Sequence, residues 1–273
     1  MGPINAYRNA KLLFKKQPAL STTEIIQVLI TVILGGFYVS FNMWGVDELD
    51  YVYGIQNLIT ITLAFFLILT LIIIVQKFVG FMLGYKATYE YSWLGLLIGF
   101  FVTFMTNGIV PFFLPGGNSY KPILSARLGK YRRDHKHAEI FMIASIATII
   151  PIIFTLLFSS IYLATDEQLF RNLVIAGLFM AFFSLIPLPH MLSPHKWGMH
   201  GPSDIKILDK FSNGTYGFDM LLSSLTAYAF LAATTIMFIL LAITFNIFSL
   251  VISFLLAIVV LIVYKIVITY FTK

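Results

Sequence analysis

Apolar positions run along this chain in blocks of about 20, each long enough to cross a hydrocarbon core of about 30 Å. The blocks fall at Ile25–Trp44, Asn57–Phe78, Trp93–Leu114, Ile140–Leu163, Leu169–Ile186, Phe218–Ala242 and Ile247–Tyr270. Before the first stands Ser21-Thr22-Thr23-Glu24, a capping-box pattern in which serine and glutamate satisfy orphan backbone donors at a helix start. The third block is interrupted by "TNGIVP" at Thr106–Pro111, where asparagine, glycine and proline suit a turn. The fifth closes on "FFSLIPLPHMLSPH", whose Pro187, Pro189 and Pro194 deny backbone donors and favour an extended chain. The pattern predicts an all-α polytopic membrane protein of about six transmembrane helices and one re-entrant segment.

Composition agrees, with 59% of the 273 residues hydrophobic and 11% charged, against roughly 25% charged in soluble domains. No cysteine is present, which excludes disulfides and thiolate metal sites. The first apolar block follows Pro18 and Ser21 without a cleavage pattern and reads as a retained helix.

Charge sets the expected orientation. Arg8, Lys11, Lys15 and Lys16 precede the first span, whereas the loop after it carries Asp47, Glu48 and Asp50. Of the 18 lysines and arginines, all but Arg171 fall on one side when the spans are threaded alternately, so both termini are predicted in the cytoplasm of a cell bearing this protein in its plasma membrane. Both flanks of Trp93–Leu114 are basic, which predicts that this segment enters and returns without crossing. The expected organisation is a tail at 1–23, a membrane core at 24–210 with the re-entrant segment at about 93–114 and a basic loop at about 115–138, and a final helix pair at 211–273. The stretch "RLGKYRRDHKH" in the basic loop suits anionic lipid headgroups; with one aromatic and no motif, it gives no reason to expect nucleic acid.

The order of these elements resembles the site-2 protease family of intramembrane zinc metalloproteases, especially its archaeal members. The likeness runs from about Thr23 to Lys206 and is carried by "TTEIIQVLI", by "VQKFVGFMLGYKATYEYSWLGLLIGFF", by "FFLPGG" and by "FSLIPLPHML", which is similar to the family's N-x-x-P-x-P-x-L-D-G segment. The resemblance implies a helical core with two histidines one turn apart, a glutamate between them, and an acidic third ligand, leaving one zinc position open. Aligned on "VQKF", Ile72 and Gln76 stand where the histidines belong and Ile73 where the general base belongs. Ser184 replaces the family's asparagine, Leu192 its acidic ligand and Ser193 its glycine. No catalytic residue and no cofactor is therefore expected, since a lineage that lost zinc would fill buried ligand positions with apolar side chains.

The resemblance further implies a groove that admits a transmembrane helix. Its expected members are Gln76, Asn107, Pro115, Gly116, Pro187 and Pro189, and the expected partner is a transmembrane helix of a client or partner membrane protein. Gln76 and Asn107 are also open to a second role, hydrogen bonding within the bundle, while Asp219 is expected at the interface. The alternative is an active metallopeptidase whose zinc has moved to His190, His195 and His200, although five-residue intervals share no helical face. Small residues in "FLAATTIMFILLA" offer a lateral helix-packing face.

Overall fold

A computed structural model describes residues 20–44, 50–122, 137–189 and 214–242, with isolated helical positions between 252 and 262. Leu192, the histidine loop, Arg127–Lys136 and most of the last apolar block lie outside the described residues.

Helix α1 spans Thr22–Ser40, and its capping box forms as the sequence predicts: Glu24 N donates to Ser21 Oγ at 3.3 Å and Ser21 N to Glu24 Oε2 at 2.8 Å. Helix α2, Tyr51–Leu83, begins at Asp50, whose carboxylate accepts from Val52 N and Tyr53 N, and ends at Gly84. Its 33 residues make a rod of about 50 Å, longer than a bilayer core and longer than the apolar block alone. Two helices follow later in the chain, α4 (His137–Thr165) and α5 (Gln168–Ser184). Of the described helices, α1, α2 and α4 are long and apolar enough to cross a membrane; α5 is shorter.

The chain is mostly helical, but not wholly so. Strands β1 (Tyr85–Glu90) and β2 (Gly117–Pro122) form an antiparallel pair in which Tyr85 faces Pro122 and Glu90 faces Gly117. Tyr85, Ala87 and Tyr89 turn inward while Lys86 turns out, the period-2 alternation of a half-buried strand. Between the strands stands helix α3 (Trp93–Met105), capped by Ser92, followed by a turn and an extended return. Because Glu90 pairs with Gly117, residues 91–116 leave one sheet and come back to it.

The apolar block expected as a single span at Phe218–Ala242 is two helices, α6 (Tyr216–Ser223) and α7 (Leu225–Ala242). Ser224 breaks them: extended at φ −163°, it accepts from Ala227 N through its hydroxyl and from Tyr228 N through its carbonyl, the role serine fills at helix starts. Helix α6 packs on α4, and residues 214–216 at its start are bonded to the core.

Helix α2 is the axis of the molecule, with α1, α4, α5 and β1 around it. Ile61, Phe65, Ile68, Leu69, Ile72 and Ile73 are buried along it, and Phe65 stacks on Phe113 of the return segment at 4.9 Å between ring centres.

Candidate functional site

Three of the positions that the family resemblance singles out, Ile72, Ile73 and Gln76, lie together on α2 where it passes the sheet. Ile72 and Ile73 are fully buried in the main core, which also holds Phe183, Leu185, Tyr216 and Met220. One turn on, Gln76 is equally buried and its amide is engaged at both ends: Nε2 donates to the Ile143 carbonyl of α4 at 3.1 Å, and Oε1 accepts from Asn118 Nδ2 of β2 at 2.9 Å. Bonding within the bundle, one of the two roles open to Gln76 in the sequence, is the role that this conformation displays.

The proline segment is extended and tied down on one edge. Leu188 is the one residue between two prolines with a backbone donor, and that donor goes to Thr215 Oγ1 at 3.0 Å. Thr215 N donates to the Leu188 carbonyl at 2.9 Å, Thr215 Oγ1 to the Ile186 carbonyl at 2.7 Å, and Pro189 bridges Gly214. Gly214 is required by this approach, since a Cβ there would lie 2.2 Å from the Leu188 carbonyl oxygen. Tyr216 N then reaches the Gly116 carbonyl at 3.2 Å. Two short extended pieces, 186–189 and 214–215, thus lie side by side, and the start of α6 joins them to Gly116 at the head of β2.

Of the expected groove residues, Gln76, Pro115, Gly116 and Pro189 are gathered here, and Pro187 is the exposed flank of the same seam. Asn107 is not with them. It sits exposed in a left-handed turn (φ +54°) at the far tip of the 91–116 excursion. Ser184, at the family's asparagine position, shares a 2.8 Å hydroxyl contact with Thr148 of α4.

Two features escaped the sequence reading. Glu24 and Lys77 form a buried ion pair at 2.6 Å, with side chains 4% and 8% exposed. The same carboxylate accepts from Tyr89 N at 3.0 Å through Oε1. The Tyr89 hydroxyl in turn donates to the Pro115 carbonyl and lies 3.0 Å from Thr31 Oγ1. The available signal was an acid and a base in otherwise apolar helices, each of which demands a partner. Asp219 is fully buried in α6, which packs against α4.

Burial raises the Tyr89 phenol above its ordinary value. Tyr120 and Tyr216 are pushed well up by burial, with the Asp219 carboxylate nearby adding to the effect. All three are neutral phenols at physiological pH.

The donor set does not suit zinc at the family's position. Ile72 offers no donor atom, and the Gln76 oxygen is already taken by Asn118. Among the described residues no group of three His, Asp or Glu side chains is placed to hold a metal ion. Comparison with protein-family models, with curated proteins and with solved structures finds no match for this chain. The likeness to the site-2 protease family therefore rests on the residues quoted above.

Proposed function

We propose that this chain is a catalytically inactive homologue of the intramembrane zinc metalloproteases, one that binds or scaffolds transmembrane helices of client or partner membrane proteins. The observation that carries the reading is the filling of the ligand and general-base positions: two isoleucines in the buried core and a glutamine spent on a carbonyl and an amide. Charged or metal-ligating groups without a metal are costly when buried, whereas the isoleucines need no partner and the glutamine has both of its own.

The holding half of the family's chemistry has its counterpart in the extended seam. Pro187 and, on α5, Phe182 (42% exposed) form its open flank, and a client helix would be received there. The remaining parts of the proposal are a plasma-membrane location with both termini cytoplasmic and anionic headgroups at the basic loop.

The test is reconstitution with single-span peptides and a photo-crosslinker at Phe182 or Pro187. Capture of intact peptide, stronger for spans with central glycine or proline than for all-leucine spans, is the expected result. Elemental analysis of protein purified without chelator or histidine tag runs beside it. About one zinc per chain, lost in His190→Ala, His195→Ala or His200→Ala, together with cleaved peptide, would replace this reading with the relocated-metal enzyme.

A further inference from the structure

The contacts of α1 form a ruler for the excursion between β1 and β2. At its first turn, Glu24 holds Tyr89 N of β1. At its last, a Cβ on Gly108 would lie 2.6 Å from Phe41 Cδ1 and 3.1 Å from Asn42 N, and the Phe104 ring stands 5.2 Å from that of Phe41. On the way back, Phe113 fills the space beside Gly35, where a Cβ would come within 2.3 Å of its ring. Pro115 then meets the Tyr89 hydroxyl that touches Thr31. As the chain runs from 108 through 113 and 115, its contacts on α1 step steadily from Phe41 to Gly35 to Thr31. From Glu24 to Phe41 the helix rises about 26 Å, close to the thickness of a hydrocarbon core.

We infer that the hairpin 91–116 traverses the full depth of the membrane and turns at the face opposite the β1–β2 sheet, presenting Asn107 to water there. The inference does not depend on whether the protein binds clients. The turn itself argues for that depth. Its backbone donors are satisfied internally: Thr106 N by Val102 O, Asn107 N by Phe104 O, Gly108 N by Thr103 O, Ile109 N by Thr106 O and Val110 N by Thr106 Oγ1, at 2.8–3.3 Å. The Asn107 side chain, however, is exposed and carries an amide that hydrocarbon cannot satisfy. A tip halting at mid-bilayer would strand that amide, and a tip at the far interface gives it water. Met105 (86% exposed) and Ile109 (75%) then lie at the apolar boundary. The return leg leaves the exposed tip at Val110, is half-buried at Pro111 and Phe112 and is buried in protein from Phe113 to Gly116, as extended chain within lipid requires.

The natural absence of cysteine makes the test direct. Single variants Asn107→Cys and Ile109→Cys at the tip, and Lys86→Cys and Lys121→Cys on the sheet, are placed in the full chain in sealed vesicles of one orientation. Each is treated with a membrane-impermeant maleimide before and after permeabilisation. The expected result is that tip and sheet cysteines label from opposite faces. Labelling of both from the same face, or a tip that stays unreactive in permeabilised but intact bilayers, overturns the inference. Ile109→Cys keeps the test alive if the left-handed Asn107 does not accept substitution.

Discussion

Gln76 and Lys77 are neighbours on α2, both buried, and they resolve burial in opposite ways. Gln76 faces α4 and β2 and uses a neutral amide, shared between one carbonyl and one asparagine. Lys77 faces α1 and β1 and carries a full charge, matched at 2.6 Å by Glu24, whose other bonds go to Ser21 N and Tyr89 N. A neutral bond exchanged for another neutral bond changes little, while a charge left alone in a low-dielectric interior is severe. The side of α2 toward α4 and β2 is satisfied with a neutral amide. The other side keeps its charges because they knit α1, α2 and β1 into one unit.

Separating the charges should produce the largest effect. Glu24→Ala removes the acid of the buried ion pair together with the reciprocal capping bond and the Tyr89 bond, so a loss of about 3–5 kcal/mol is expected. It should appear as a large fall in the thermal midpoint in mild detergent. The double variant Glu24→Gln with Lys77→Met should recover much of it, and a double as damaged as the single would show that charge is not the issue. Gln76→Ala comes next, taking the acceptor from Asn118 Nδ2 and the second donor from the Ile143 carbonyl, with an expected loss of about 1–3 kcal/mol. Should Gln76→Ala instead cost as much as Glu24→Ala, the contrast between the two sides fails.

The smallest effect is expected at Tyr216, whose hydroxyl has no hydrogen-bond partner among the described residues. Tyr216→Phe removes a buried oxygen that gains nothing, so midpoints at neutral pH should hold or rise slightly. Its pH dependence has a definite sign. The folded phenol titrates above its ordinary 10.0, so the unfolded chain gives up that proton first, and stability falls as pH climbs past about 10. The substitution should soften alkaline unfolding, followed by phenolate absorbance. An unchanged alkaline limb would mean that Tyr216 is not among the phenols that resist ionisation.

Local signals in the sequence were legible where the physics is local. The capping box at Ser21–Glu24 formed as written, and α4 and α5 begin and end within a few residues of their apolar blocks. The alternation in "YKATYE" was there to be seen, but its partner "GNSYKP" carries glycine, asparagine and proline, residues depleted in strands, and the pairing closes over more than 25 residues. Ser223-Ser224 sat within an apolar run and yielded no break until the cap was seen. The Glu24–Lys77 pair joins positions 53 residues apart, and no periodicity encodes which acid meets which base. At the candidate site, the residue types at the positions singled out by the resemblance were readable. Their surroundings, a bonded glutamine and a proline segment bridged to Gly214, depend on chain brought in from elsewhere.

The separation of Glu24 from Lys77 also has a meaning in time. At synthesis rates of about 5–20 residues per second, 53 residues place the lysine roughly 3–10 seconds behind the glutamate. During that interval α1 must enter the bilayer without its partner. Its acid lies in the first turn, already bonded to Ser21 through the capping box, and so can wait at the water boundary. The cap is thus a holding position for a charge until α2 has been made, and the sheet can be hung on α1 only after that handover, when Tyr89 follows twelve residues later.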